Sequence, residues 1–149
     1  MIIIALICEG EHARMNNCPL CNLDLEPTQI VVLSNEHCMF LQLEQARQKG
    51  VQLEGAGIIV PKIHRETTFD LTLEERNATY SLLQDVKKYI DKHYQPQGYN
   101  LGWNCGEKAG QHIPHAHLHV LPRYEDERLV GKGIRFMFKG DKNNRKTIK

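Results

Sequence analysis

Three histidines, His115, His117 and His119, alternate with apolar residues in Gly110-Gln111-His112-Ile113-Pro114-His115-Ala116-His117-Leu118-His119-Val120-Leu121-Pro122. Successive side chains of a β-strand point to opposite faces. The spacing therefore predicts three imidazoles on one face, with Ala116, Leu118 and Val120 entering a core on the other. Strand rise would set neighbouring imidazoles roughly 6.7 Å apart. That gap suits a phosphate held by two or three groups, or several ligands of one metal. A row of polar rings on one face requires solvent, a ligand or partners. Neutral imidazole, with an unperturbed pKa of ~6.5, is nucleophilic toward phosphorus. Attack would give a covalent phosphohistidine that water later cleaves, splitting group transfer into two easier steps. The turn from Gly106 to Gly110 would let backbone amides approach phosphate oxygens closely.

A second constellation is Cys18-Pro19-Leu20-Cys21. Taken alone, a Cys-x-x-Cys is a zinc half-site or a redox pair. The thioredoxin-like alternative lacks a helix pattern after Cys18 and a βαβ context. Five cysteines are an odd number, which favours thiols or metal ligands over a disulfide framework. Cys8, Cys38 and Cys105 read as buried or incidental thiols, while His12, His37 and His93 belong to no constellation.

The elements that must carry these residues fit one domain of 149 residues. Lys and Arg number 19 against 18 Asp and Glu, a net charge of +1. No general attraction to nucleic acid or membrane follows, and any phosphate preference must be local. The apolar start, Met1 to Cys8, is too short to span a bilayer and lacks the basic lead and cleavage site of a signal peptide, so a cytoplasmic location is expected. Thr28–Leu33 and His37–Gln42 read as a hairpin around Ser34-Asn35-Glu36. Leu43–Lys49 reads as a short helix or loop, and Ala56–Val60 as a strand stopped by Pro61. The capping pattern Thr72-Leu73-Glu74-Glu75 opens a helix in which Thr79, Leu82, Leu83, Val86, Tyr89, Ile90 and His93 recur at helical spacing. Tyr99–Asn104 is the next strand, followed by the glycine turn and the histidine strand. The lysine-rich end from Lys139 reads as a loosely held tail.

His115-Ala116-His117-Leu118-His119-Val120-Leu121 resembles the His-x-His-x-His-x-x signature of the histidine triad (HIT) superfamily of nucleotide hydrolases and transferases. Ile59-Val60-Pro61-Lys62-Ile63-His64, Phe69-Asp70-Leu71-Thr72 and the stretch from Asn104 to Gln111 resemble HIT sequence in the same order. The resemblance spans about Cys18 to Tyr124. It implies an α+β, HIT-like fold: a five-stranded antiparallel sheet with one long and one short helix packed on it, commonly a homodimer. It divides the chain into an N-terminal extension (1–17), a HIT domain (18–138) and a basic tail (139–149). The implied activity is hydrolysis or transfer at the α-phosphate of a dinucleoside polyphosphate or nucleoside phosphoramidate, with an adenine or other purine nucleotide as the expected ligand. His117 is the implied nucleophile and His119 the phosphate contact. The carbonyl of His115 is expected to fix the tautomer of His117. Asn104, Gly110, Gln111 and His112 are implied at the phosphate, Gln42 at the ribose and Phe40 at the base, with Ile30 and Leu33. His112 departs from the Ser or Thr, and Gln42 from the Asp or Asn, of many relatives. The branch with this cysteine pair implies a structural zinc held by Cys18, Cys21, His64 and His115.

Other readings stand beside these. The chain could be a nucleotide- or zinc-binding regulatory module with little catalysis, or the three histidines could hold one catalytic metal. Asn104 and Gln111 could only satisfy turn backbone groups. Trp103 reads as core or dimer interface.

Overall fold

The computed structural model describes residues 16–145; the expectations for the apolar start, Cys8, His12 and the last tail residues lie outside them. Five strands, β1 (Gln29–Ser34), β2 (Cys38–Leu43), β3 (Gly57–Pro61), β4 (Gly98–Trp103) and β5 (Leu118–Arg123), form one sheet in the order β1-β2-β3-β5-β4. Every neighbouring pair is antiparallel. The expected long helix is α1 (Leu73–Tyr94), of 22 residues. The expected short helix is instead a single 3₁₀ turn, Glu44–Arg47, because so brief a segment buries only Ala46 and cannot offset the cost of nucleating α-helix.

Helix α1 starts where Thr72 caps it. The Thr72 hydroxyl accepts from the Glu75 amide at 3.2 Å, and the Thr72 amide donates to the Glu75 carboxylate at 2.8 Å. It ends at Gln95, which takes a left-handed conformation with φ 55°. Its apolar stripe, Leu82, Leu83, Val86 and Ile90, packs on one face of the sheet against Cys38, Phe40, Ile59, Leu118 and Val120. Strand parity sends the intervening residues to the other face. There Leu41 and Val60 pack against Cys18 and Leu20 of the N-terminal arm. His119, paired with Ile58 on β3 and Gly102 on β4, belongs to this second face. Pro122 is tolerated in a strand flanked on both sides because β3 pairs only with Leu118–Val120, so Pro122 lies past its end.

One ion pair links helix to loop. Glu75, 3% exposed, receives Arg65 Nε and Nη2 at 3.0–3.1 Å. Burial alone would push this carboxyl up, but the Arg65 hydrogen bonds and the Thr72 amide hold it below the usual carboxylate range. Replacing Glu75 with Ala would strand the guanidinium, undo the cap and cost about 3 kcal/mol. Urea unfolding at pH 7 measures this, and a loss near zero would remove Glu75 from the stabilising contacts. Because the folded carboxyl is depressed, its contribution is complete above the unfolded pKa of about 4.3 and fades as pH falls through the lower folded value. The gap between wild type and Glu75→Ala should therefore narrow in acid.

Candidate functional site

Only His119 of the three alternating histidines lies in β5; His115 precedes it in a bend and His117 in irregular chain. Pro114 has no amide to donate, and the His115 amide turns back to Ile113 O at 2.8 Å, which breaks the strand before it starts. The uniform row is therefore corrected to a staggered arrangement, although Ala116, Leu118 and Val120 are buried as expected. The rings of His117 and His119 meet edge to face, with centroids 4.9 Å apart, while His115 makes the same contact with His64.

The loop leaving β3 fixes this segment through three carbonyls. Pro61 O accepts from His115 Nε2 at 2.9 Å, Arg65 O from the Ala116 amide at 2.6 Å, and Glu66 O from Gln111 Nε2 at 2.7 Å. Arg65 and Glu75 pin that loop to the first turn of α1. Sequence reading missed both positioning residues. The available signal was a capping glutamate with an arginine ten residues upstream, which pairing in space alone makes meaningful.

His117 is 8% exposed. Its Nδ1 lies 2.7 Å from His115 O, and since a carbonyl only accepts, Nδ1 carries the proton. Nε2 therefore keeps its lone pair, and no described residue hydrogen-bonds to it. Burial, with His117 adding to it, pushes the His119 imidazole below its ordinary range, and its Nε2 is buried without a partner. An orphaned polar atom of this kind costs about 1–3 kcal/mol. A ligand atom would satisfy it.

The glycine turn behaves as its composition suggests: Gly106 and Gly110 have φ of 88° and 89°, which favour glycine. Asn104 and His112 are exposed at its two ends, with no hydrogen-bond partner among the described residues. Gln111 is instead committed at both ends, accepting from the Gly106 amide at 2.7 Å and donating to Glu66 O. It staples the turn.

Phe40 and Gln42 are not brought to the site, a correction to their expected base and ribose contacts. Both face α1, Phe40 fully buried and Gln42 1% exposed, with Gln42 Nε2 donating to Gly55 O at 2.8 Å. Leu33 and Ile30 pair with them and share that face. The reason is the period of two: the β2 residues on the face of His119 are Met39, Leu41 and Leu43.

Cys18, Cys21, His64 and His115 come together, their donor atoms within 4.8 Å of one another. Cys21 Sγ is 3.2 Å from His64 Nδ1 and 3.4 Å from His115 Nδ1, and Cys18 Sγ is 3.5 Å from His115 Nδ1. Bond lengths of about 2.3 Å to sulfur and 2.0 Å to nitrogen place tetrahedral donors about 3.5 Å apart. The tautomer also fits. His115 Nε2 donates to Pro61 O and leaves Nδ1 bare toward the thiols. Burial pushes His115 down to about 4, against the Pro61 bond, while burial and the adjacent Cys18 push Cys21 up to about 12. A cation would replace the thiol proton and remove that penalty. These four residues can hold a metal ion, and His117 and His119 are not among them.

A family model described as the HIT domain matches residues 24–126. The chain belongs to the HIT family. It is 31% identical over 124 residues to the protein hit of Bacillus subtilis, an overlap of 80% of this chain and 76% of that one. The crystal structure of a HIT family protein from Bacillus anthracis aligns with a TM-score of 0.63 at 32% identity, covering 74% of this chain and 75% of that one. A shorter match, 36% identical over 56 residues, is to bis(5'-adenosyl)-triphosphatase of Saccharomyces cerevisiae; it covers 38% of this chain and 27% of that protein. The HIT match begins after the cysteine pair and ends before the C-terminal segment. No helix among the described residues is long and apolar enough to cross a membrane.

Proposed function

We propose that this HIT protein hydrolyses or transfers at the α-phosphate of a nucleotide conjugate through His117. The observation that carries the reading is the His117 Nδ1 bond to His115 O, which leaves Nε2 as an oriented lone pair beside His119. Nε2 attacks phosphorus and forms a P–N bond. The bond to the leaving group breaks, and its electron pair departs with that group, which takes up a proton. Water then attacks the nucleotidyl-histidine, releases a nucleoside monophosphate and returns His117 to its neutral form. His119 Nε2 contacts a nonbridging oxygen and opposes the charge that develops there.

Dinucleoside polyphosphates and nucleoside phosphoramidates are the substrate classes, with a purine nucleotide as the transferred part. Val31 and Leu43, 44% and 38% exposed on the face of His119, are the apolar surfaces offered to a base in place of Phe40. The four-residue cluster holds zinc, which ties the N-terminal arm to the sheet. The reading includes a homodimer, for which the open edge of β4 offers unpaired backbone groups. Mass spectrometry after rapid acid-free quenching with a substrate panel tests the mechanism. The expected product is one nucleoside monophosphate on the peptide containing His117. Turnover without any adduct, or an adduct on another residue, overturns it. A protein that binds AMP but turns over no member of the panel is the regulatory module of the alternative reading.

A further inference from the structure

The chain beyond β5 turns back across the face that carries His119. Arg123, two pleats along β5 from His119 on the same face, holds it down: Nη1 donates to Lys132 O and Nη2 to Leu129 O, each at 2.7 Å. Asn100 of β4 and Glu127 complete the environment of the guanidinium. Past this clamp the segment crosses Gly102, the β4 residue paired directly with His119. A Cβ built on Gly102 would meet Ile134 Cδ1 at 3.7 Å. Paired residues in an antiparallel ladder have Cα atoms about 4.5–5.5 Å apart, so Ile134 stands about one side chain away from His119. Glycine at 102 leaves that space to Ile134.

The composition of this wall is specific. Ile134 and Phe136 are more than half exposed, and Lys132 and Arg135 flank them in solvent. Lys132 Nζ sits 5.0 Å from the Phe136 ring centre. Apolar, aromatic and cationic groups in alternation suit a ligand with a planar ring and several negative charges. Two cations near the histidines are already engaged: Arg65 with Glu75, and Lys62 with Asn35 O at 2.6 Å.

We propose that the segment from Leu129 to Phe136, clamped by Arg123, is the wall of the site on its leaving-group side, and that Lys132, Ile134 and Arg135 select a polyanionic leaving group bearing a planar ring over a small neutral amine. The inference rests on the proposed attack by His117 and adds a specificity element outside the matched HIT region. It chooses a dinucleoside polyphosphate over a phosphoramidate of a simple alkylamine.

The test uses the full chain and two substrates with the same transferred nucleotide, diadenosine triphosphate and an adenosine phosphoramidate of an alkylamine. In Lys132→Ala/Arg135→Ala and in Ile134→Ala, kcat/KM for the dinucleotide should fall about tenfold, or 1.4 kcal/mol, mainly through KM, with the phosphoramidate changed less than about twofold. Equal losses on both substrates, or none, overturn the selector role. Binding provides an arm that needs no turnover. In a His117→Ala background the same substitutions should weaken diadenosine triphosphate about tenfold and leave AMP unchanged, and equal affinities for the dinucleotide again overturn the proposal. Failure of the nucleophile assignment looks different, since His117→Ala alone would then turn over substrate.

Discussion

His117→Ala should reduce turnover by roughly 10⁴–10⁶-fold, the range seen when a covalent nucleophile is removed, and change AMP affinity less than about threefold. The expectation follows from the oriented lone pair of His117. His115 O fixes the proton of His117 on Nδ1, so Nε2 needs no other base to be nucleophilic. His119 cannot substitute, because an Nε2 that contacts a phosphate oxygen carries the proton and has no lone pair to offer, and its ring lies edge-on to His117. Alanine removes the nucleophile but leaves His119 to contact a monophosphate. Steady-state rates with AMP titration by calorimetry separate the two effects. Turnover within tenfold of wild type would falsify the assignment. His119→Ala should lower the rate less, by about 10²–10³-fold, as a lost charge-stabilising contact does.

Loss of the metal should be the largest single blow to stability. One zinc per chain is expected by elemental analysis, absent in Cys18→Ser and retained in His117→Ala. The chelated protein and Cys18→Ser should each lose about 3–5 kcal/mol of apparent stability, a figure set by mass action when metal exceeds its dissociation constant about a thousandfold. The effect is smaller than in zinc fingers, which have no core without metal, because here α1 and the sheet keep their own core. The ion would tie down the arm, whose Leu20 is fully buried against Leu41 and Val60 within the turn that carries Cys18 and Cys21. His115 belongs to both centres: its Nδ1 faces the cluster, and its carbonyl accepts from His117 Nδ1. Metal loss should therefore also slow turnover by loosening the nucleophile. A stoichiometric metal lost in His117→Ala and kept in Cys18→Ser would invert the assignment and favour a catalytic metal on the histidines.

Much of the architecture was legible because local signals agreed with the tertiary outcome. The Thr72–Glu75 capping box and the stripe Leu82, Val86, Ile90 place α1 without reference to any other element. The two runs around Ser34-Asn35-Glu36 become β1 and β2 within a residue of their expected bounds. The metal cluster was legible for a different reason: the cysteine pair defines a half-site, and the resemblance to HIT proteins named the histidines 43 and 94 residues beyond Cys21 that complete it.

Where reading failed, one residue of register was enough. Gln42 and Phe40 were assigned to the nucleotide, but the pleat turns them toward α1 and leaves Met39, Leu41 and Leu43 on the face of His119. A one-residue slip inverts every side chain of a strand, and nothing local to β2 says which side the histidines will occupy. Gln111 stood open between phosphate and turn backbone for a related reason, since whether an amide meets substrate or backbone depends on Glu66, 45 residues away.

The sequence alone determined the identities and order of the candidate groups and of the helix that covers one face: the alternating histidines, the cysteine pair, the glycine turn and α1. Those follow from residue type and short-range periodicity. Tertiary structure decided how each histidine is placed. Pro114 and the carbonyls of Pro61, Arg65 and Glu66 turn His115 toward the thiols and aim His117 with its Nε2 free, and Arg123 lays the C-terminal segment beside His119. Such assignments depend on hydrogen bonds between residues far apart in the chain, and on strand parity, which becomes meaningful only once a second layer marks one face as inside.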